Sequence, residues 1–469
     1  MKNRKLLTAS AVAATLVMVV TGCSSKKSTS ATASSTSASS AASTSASAPV
    51  AAGSTTATAP ASSAAAVGPK VTLSVGLFGT FGFKEAGLYD QYMKENPNIT
   101  IKEDVIEHGP DYLKALQTHL AAGSGLDDVQ AFEIGFVGTF LNNNADKFVN
   151  FAALPEGPQL KSTFYDWKWN GATTPDGKAT IGLGTDSGPE AMCYRSDLLK
   201  AAGLPTDPAT LGQMWSTWDG LISFGKQYKA STTKPAGSAF LDSAASIFSA
   251  EVYQGTHAYD DDQGKPIPAT SDGILAAWKN ASAAAQAGLT AKLLQFTPTW
   301  NSGFANNAFA AIACPSWMLG YITSQAGDAG KGKWNVTSLP GGASNWGGSW
   351  LNVPKGGPHE AEAIKLAEWL TAPAQQVTMW TKRSAFPSSS TAGKDPAIAA
   401  AVSDYFSNAP IGQIYNTVAQ KMKLTPPGPF DSAMTSAFET ALNTIETNGK
   451  TPDEAFAKAQ ADIKQAIGS

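Results

Sequence analysis

The sequence predicts an α/β protein with helices covering a mainly parallel sheet, preceded by a secretion signal and a long linker. Two observations lead to this fold class. Runs of alternating apolar residues and amphipathic segments follow one another as strand, helix, strand, helix, strand, the order that produces a helix-covered parallel sheet. After residue 69, about 400 residues remain, enough for two domains of ordinary size.

The amino terminus has the parts of a secretory signal peptide. A basic start, Met1–Lys5, is followed by an apolar run, Leu6–Val20, and then by Gly22 and Cys23. The run is shorter than the roughly 20 residues that span a bilayer. The ending Val-Thr-Gly-Cys is similar to the bacterial lipobox, whose cysteine is acylated. We therefore expect residues 1–22 to be a lipoprotein signal peptide and Cys23 to be lipidated, with an ordinary signal peptide as the alternative.

Residues 23–69 have the composition of a tether. Ser, Ala and Thr make up most of the segment, which has no aromatic residue and only Lys26 and Lys27 as charged residues. Such a segment cannot bury enough apolar area to offset the entropy of ordering. We expect a disordered tether that holds the folded part at the extracellular face of the cell membrane.

The predicted strands and helices follow in order after the tether. Alternation of apolar residues indicates strands at Val71–Val75, Ile99–Ile101, Val129–Phe132, Ile181–Leu183, Ala191–Tyr194 and Ala308–Ala313. Helical spacing indicates helices around Leu88–Met93, Asp111–Leu120, Trp215–Tyr228, Glu360–Leu370 and Met434–Ile445. A last helix begins at Thr451, where Pro452 and Glu454 complete a capping box.

Charge and composition argue against several functions. With 34 Lys+Arg against 37 Asp+Glu the formal charge is −3, so no basic surface for nucleic acid is indicated. The four histidines lack metal-ligand spacing and Asp260-Asp261-Asp262 lacks the spacing of an EF-hand. We expect no metal and no cofactor. Cys193 and Cys314 either form a disulfide, as is common in an exported protein, or remain free thiols.

Five segments carry a resemblance to a known family. They are Asp127–Glu133, Met192–Pro205, Phe309–Trp317, Ser338–Gly342 and Gly347–Pro354. In order and spacing they resemble segments of the extracellular solute-binding family that includes the maltodextrin- and cellobiose-binding proteins of ABC importers. The resemblance extends from Val71 to Ser469.

This resemblance implies a two-lobed, periplasmic-binding-protein-like fold of type II, with a ligand cleft between the lobes. Carried onto this chain, lobe I holds residues 70–184 with 345–395, and lobe II holds 186–343 with 396–469. It implies a monomer that closes on a sugar or oligosaccharide by hinge motion and delivers it to the membrane subunits of an ABC permease.

Sugar sites combine flat aromatic rings, which cover C–H faces, with polar groups that pair with hydroxyls. The chain has 12 Trp, and Trp167 and Trp169 are interpreted as structural residues of a strand. Core packing is the alternative for Trp317 and Trp300, and at least one of Trp346 and Trp350 is expected to face ligand. The aromatic and amide candidates for ligand contact are Phe81, Trp300, Asn301, Trp317, Trp346 and Trp350.

Three charged residues complete the predicted site. Glu133 ends a strand at the carboxyl edge of the sheet, where open α/β sheets bind ligands. Asp186 lies at the first crossing between lobes, and Arg383 lies in a loop where the family more usually has Gly. Caps or hinge ties are the alternative roles for Glu133 and Asp186.

Two other functions remain open at this stage. Paired carboxylates beside aromatic rings also occur in glycoside hydrolases, so a secreted carbohydrate-active enzyme is one alternative. A sensor that presents ligand to a membrane kinase is another, and a non-sugar solute fits the same fold. The sequence contains no G-x-S-x-G elbow, H-E-x-x-H motif or P-loop, so we expect a binding protein without catalytic residues.

The lipobox predicts a direct test at Cys23. Wild-type protein made in a bacterial host should incorporate labelled fatty acid, because the acylated thiol anchors the chain. The Cys23→Ala variant should lose the label and either be released or remain unprocessed. A variant that keeps wild-type membrane partitioning and processing would show that Cys23 is not the anchor.

Overall fold

The computed structural model describes residues 68–79, 81–107, 109–261, 264–422 and 427–468. Cys23, the signal peptide and all but the last two residues of the tether lie outside the described residues. Among the described residues, no helix has the length and apolar character needed to cross a bilayer.

The described residues form strands β1–β11 and helices α1–α18. The strands are β1 Val71–Phe78, β2 Ile99–Ile106, β3 Val129–Glu133, β4 Leu183–Gly184, β5 Asp186–Ser187, β6 Glu190–Arg195, β7 Ala239–Leu241, β8 Phe309–Pro315, β9 Trp334–Ser338, β10 Ser349–Asn352 and β11 Phe386–Pro387. The helices are α1 Leu88–Glu95, α2 Gly109–Ala122, α3 Ile134–Asn143, α4 Gly157–Thr163, α5 Asp166–Asn170, α6 Ser196–Ala201, α7 Pro208–Met214, α8 Trp218–Ala230, α9 Ala244–Glu251, α10 Asp272–Gln286, α11 Pro298–Gly303, α12 Met318–Ala326, α13 Glu360–Leu370, α14 Pro373–Arg383, α15 Pro396–Ala399, α16 Ile411–Ala419, α17 Asp431–Asn448 and α18 Pro452–Ile467.

The first sheet has the strand order β2-β1-β3-β10-β4 and forms the centre of lobe I. The β1 strand pairs in parallel with β2 and β3, which confirms the predicted alternation of strands and helices. Leu73, Val75 and Leu77 alternate toward the core and are buried. The β10 strand comes from a distant part of the chain and runs antiparallel to β3 and β4.

The second sheet, in lobe II, has the order β7-β8-β6-β9. Its central strand β6 is buried along its whole length, as expected for a strand covered on both faces. The β6 strand is antiparallel to both β8 and β9, whereas β7 and β8 are parallel. The mainly parallel sheet expected from the sequence is therefore wrong for this lobe. The β6 strand leads away from lobe I and β9 leads back to it, so these neighbours run in opposite directions.

Local structure differs from expectation in two places and confirms it in a third. Trp167 and Trp169 lie in the short helix α5 rather than in a strand. The helix expected to begin at Trp215 begins instead at Trp218 as α8, because Trp215 is the fully buried C-cap residue of α7. The capping box of α18 is confirmed, with Thr451 and Glu454 bonded to each other's backbone N–H groups.

The lobes are joined where β5 and β11 form a two-stranded ladder, with Phe386 opposite Ser187. A second crossing leads from β9 to β10 through Gly347 and Gly348, which have φ of +87° and +112°. A Cβ atom at Gly188 would overlap the carbonyl oxygen of Trp346. Glycine is therefore required for two crossings to lie side by side. The assignment of residues to lobes by number remains our proposal.

Cys193 of β6 and Cys314 of β8 form a disulfide with a Cα–Cα distance of 5.4 Å. Both side chains are fully buried. The hydroxyl of Tyr415 donates a hydrogen bond of 3.0 Å to the carbonyl oxygen of Cys314. The bridge therefore joins neighbouring strands within the core of lobe II.

Removing this disulfide should lower stability without abolishing the fold. The bridge closes a sequence separation of 121 residues, and a loop of this size is associated with about 2–5 kcal/mol of stabilisation. Urea unfolding of the Cys193→Ala/Cys314→Ala variant should show a loss in this range. Two free thiols titrating in denatured, unreduced wild type would contradict the pairing.

Candidate functional site

Four aromatic side chains form a continuous surface, which we call the aromatic wall: Phe296, Trp317 and Tyr321 of lobe II, and Trp346 of the second crossing. The centroid of the Phe296 ring lies 6.3 Å from Trp317, 6.1 Å from Tyr321 and 6.3 Å from Trp346. The centroids of Trp317 and Trp346 are 5.4 Å apart. Phe296 is 52% exposed, and the other three rings are half-buried. The wall therefore retains accessible ring surface.

Local contacts hold these rings in place. The Nε1 of Trp317, directly after β8 and the turn residue Ser316, donates a 2.9 Å hydrogen bond to the carbonyl oxygen of Trp346. The hydroxyl of Tyr321 donates a 2.6 Å hydrogen bond to the Oδ1 of Asn301. Phe296 has φ of +61°, a left-handed conformation that is uncommon for a bulky residue.

Three charged residues form a second cluster, the charged floor: Glu133, Lys168 and Asp186. Glu133 ends β3 and caps α3, because its Oε2 accepts a 2.6 Å hydrogen bond from the N–H of Gly135. The Oδ1 of Asp186 accepts hydrogen bonds from the N–H of Ser349 at 2.9 Å and the hydroxyl of the preceding threonine at 2.8 Å. Both carboxylates are half-buried. The Glu133 carboxylate therefore bonds to the start of α3, and the Asp186 carboxylate bonds the first crossing to β10, while both remain partly accessible to solvent.

Lys168 is the buried cation of this floor. Its side chain is 1% exposed, and its Nζ lies 3.5 Å from the centroid of the Trp350 ring. Burial lowers the pKa of Lys168 to about 7, against the opposing charges of Asp186 and Glu133. Burial likewise raises the pKa of Glu133 to about 7, opposed by the Gly135 N–H and by Lys168.

The wall and the floor meet at the second crossing. A Cβ atom at Gly347 would lie 3.1 Å from the Nε1 of Trp317, and one at Gly348 would lie 3.0 Å from the Nζ of Lys168. Two adjacent residues of one crossing thus contact the two clusters. Aromatic surface and charged groups therefore line the same region between the lobes.

Tyr253 of lobe II lies close enough to Glu133 for the carboxylate charge to act on it. Burial raises its pKa well above the usual value, with smaller contributions from nearby acidic groups that include Glu133. The lobes also touch here, since the hydroxyl of Thr139 in α3 donates a 3.1 Å hydrogen bond to the carbonyl oxygen of Pro429. Glu133 therefore lies between elements of both lobes.

Phe81 and Arg383 lie together at the edge of lobe I. The ring centroid of Phe81 is 5.1 Å from that of Phe78, and a Cβ atom at Gly82 would overlap the Arg383 side chain. A Cβ atom at Gly320 of α12 would lie 2.9 Å from the Arg383 carbonyl oxygen. This edge therefore adjoins the helix that carries Tyr321.

The structure corrects the expectation that Trp300 and Trp350 offer a ring face to ligand. Trp300 is fully buried, and its Nε1 donates a 2.9 Å hydrogen bond to Asp242. The segment expected to be a loop is helix α11, which turns this ring inward. Trp350 is 1% exposed, and its Nε1 donates a 3.1 Å hydrogen bond to the carbonyl oxygen of Lys168.

Sequence reasoning missed four residues of this region: Lys168, Tyr253, Phe296 and Tyr321. Lys168 is flanked by two tryptophans, an unusual setting for an exposed lysine and thus a signal for burial. In the described ranges, no group of three or more His, Cys, Asp or Glu side chains is arranged to bind a metal ion.

Between the two lobes, aromatic rings that can cover C–H faces lie next to two carboxylates and an ammonium group. This combination is typical of a protein that captures a polar small molecule. The model of the family described as bacterial extracellular solute-binding protein matches residues 87–403. The chain belongs to this family. A comparison with curated protein sequences finds no match.

Solved structures show the same relationship. One described as an extracellular solute-binding protein of family 1 is 38% identical, with a TM-score of 0.74 over 84% of this chain and 99% of its own. An ABC transporter-associated binding protein from B. animalis subsp. lactis Bl-04, in complex with β-1,6-galactobiose, is 18% identical with a TM-score of 0.72, covering 84% and 97%. The galacto-N-biose/lacto-N-biose I-binding protein from Bifidobacterium longum is 17% identical with a TM-score of 0.69, covering 86% and 98%. The two-lobed fold implied by the sequence is confirmed.

The aromatic wall predicts different effects for two half-buried tryptophans. Trp317→Ala should weaken ligand binding about 5- to 150-fold, because a stacked ring contributes on the order of 1–3 kcal/mol. Trp369→Ala is the matched control, since its half-buried ring packs on Tyr92 in lobe I. Calorimetric titration of both variants measures the difference. Equal affinities for wild type and Trp317→Ala would remove this ring from the site.

Proposed function

We propose that this protein is the extracellular, lipid-anchored binding component of an ABC importer and that it captures a sugar or oligosaccharide between its lobes. One observation carries the proposal: the aromatic wall adjoins the charged floor at Gly347 and Gly348. A sugar needs both surfaces, since its C–H faces are apolar and its hydroxyls require donors and acceptors.

The ligands of similar structures support a carbohydrate. The B. animalis protein was crystallised with β-1,6-galactobiose, the B. longum protein with lacto-N-biose and a T. maritima protein with maltose. These ligands share many hydroxyls and no formal charge. A floor with carboxylates as acceptors and an ammonium as donor suits that chemistry.

Hinge closure is the motion that we propose for capture. The β5–β11 ladder and the glycine-containing second crossing are narrow connections that can change φ and ψ while each sheet stays rigid. The hydrogen bond from Thr139 of α3 to Pro429, before α17, already joins the lobes in this structure and would break as they open. Ligand bound by both lobes would then favour the closed form.

We also propose that the protein is not an enzyme, acts as a monomer and docks on the membrane subunits of its permease. Glu133 and Asp186 support a binding role, because both already accept backbone hydrogen bonds. Such tied carboxylates are suited to fixed hydrogen bonds with hydroxyls. Incubation with oligosaccharides should therefore leave them uncleaved.

A thermal-shift panel tests the proposed ligand class. The panel contains β-1,6-galactobiose, lacto-N-biose, maltose and longer oligosaccharides, with amino acids and dipeptides as the contrast set. At about 100 times its Kd, a ligand adds about 2.7 kcal/mol to the free energy of unfolding, so at least one sugar should raise the Tm. A Trp317→Ala/Trp346→Ala variant should lose that shift. Stabilisation by the contrast set alone would contradict the carbohydrate assignment.

A further inference from the structure

The ammonium group of Lys168 lacks the partners that a buried charge normally has. The side chain is 1% exposed, yet Glu133 and Asp186 act on it through space and not through a hydrogen bond. Among the residues that the structure describes, its contact is the face of the Trp350 ring, 3.5 Å from Nζ. A cation–π contact stabilises the charge but satisfies none of its three N–H donors.

The surroundings of Lys168 show where its ammonium group lies. A Cβ atom at Gly184 would lie 2.8 Å from its side-chain carbons, and one at Gly348 would lie 3.0 Å from its Nζ. Glycine at both positions makes room for the lysine side chain, so that its ammonium group lies beside the second crossing. The aromatic wall begins at the neighbouring residue, Gly347.

We propose that Lys168 is a ligand-contacting residue, which donates hydrogen bonds to hydroxyl oxygens of the bound solute while Glu133 and Asp186 accept hydrogen bonds from its hydroxyl groups. This inference rests on the proposed function and adds the residue that supplies the donors. This arrangement favours ligands that carry hydrogen-bond acceptors and donors close together. It disfavours cations, because the ammonium group repels them.

Trp350 takes a different role from the one that its sequence position indicates. Its ring is buried and holds the ammonium, and its Nε1 donates to the carbonyl oxygen of the same lysine. Trp350 therefore acts on ligand through Lys168 and is a positioning residue. Its effect on affinity requires that the lysine be present.

The first experiment compares two lysines by calorimetric titration with β-1,6-galactobiose, lacto-N-biose and maltose as probes. Lys168→Met keeps the apolar stem and removes the donors, and it should weaken binding of whichever probe the wild type takes by about 10- to 100-fold. Lys178→Met is the control, because that lysine is 82% exposed and paired with Asp176. The control should bind as the wild type does. Melting curves without ligand check that each variant is folded.

A double-mutant cycle tests the role of Trp350. Trp350→Phe should weaken binding in the wild type, because the smaller ring holds the ammonium less well. The same substitution in a Lys168→Met background should produce no further loss of affinity. Equal losses in both backgrounds would mean that Trp350 acts independently of the lysine.

The pH profile adds a readout that a purely structural role would not change. The titratable groups whose charges act on Lys168 are Asp186 of β5 and Glu133 of β3. With the lysine pKa lowered to about 7 and that of Glu133 raised to about 7, the ammonium is lost above neutrality while Glu133 is ionised. Wild-type affinity should therefore fall as the pH rises from about 7.5 to 9.5, and Lys168→Met should show no such fall.

The outcomes separate this inference from the function on which it rests. A wild type that binds none of the three disaccharides or longer sugars of the panel overturns the proposed function and this inference with it. A wild type that binds a sugar, with Lys168→Met folded and of equal affinity, overturns the role of Lys168 alone. The role of Lys168 is supported if Lys168→Met weakens binding and its affinity no longer falls as the pH rises from about 7.5 to 9.5.

Discussion

The close approach of the first two crossings between the lobes is the constraint on which the site depends. Gly188 leaves no room for a side chain beside the Trp346 carbonyl oxygen, and Asn345 bonds both strands, accepting from the Gly188 N–H at 3.0 Å and donating to the Gly347 carbonyl oxygen at 2.9 Å. This contact places Trp346, and Trp317 bonded to it, beside the crossing that carries Asp186. A larger residue at Gly188 would push the two crossings apart. It would thereby separate the aromatic wall from the charged floor without replacing any residue of either cluster.

Electrostatics in the floor follow from the same packing. Burying a charge is unfavourable unless other charges or hydrogen bonds compensate. Lys168, Glu133 and Asp186 compensate one another only in part, since the pKa values of Lys168 and Glu133 both shift toward the neutral form. Ligand hydroxyls would complete this partial compensation. The unbound site therefore contains charged groups with unused hydrogen-bonding capacity, and the hydroxyl groups of a polyol can pair with them.

Local patterns in the sequence were sufficient for much of the fold. Alternation identified β1 and its parallel neighbours, helical spacing gave α13, and the Thr451 capping box gave the start of α18. The antiparallel strands of lobe II could not be read in this way. The direction of β6 and β9 depends on where the chain enters and leaves the lobe, which is a property of the whole topology.

The site was harder to predict because exposure is set by distant partners. Trp300 packs within the core of lobe II, and its Nε1 donates there to Asp242, 58 residues earlier. The environment of Lys168 requires Trp350, 182 residues later. Sequence could propose Glu133 and Asp186 from their places at a strand end and a crossing, but not the cation between them. It also could not distinguish Trp317, which keeps accessible surface, from Trp350, which does not.

A crystal structure of the protein with a sugar that stabilises it is the most direct measurement of the central claim. The account predicts electron density for the sugar between the lobes, with a ring face on Trp317 or Trp346 and hydroxyls within hydrogen-bond distance of Glu133, Asp186 and the Lys168 ammonium. Density elsewhere, for example in the lobe II recess between Pro208 and Ile414, with the wall and floor in contact only with water, would contradict it.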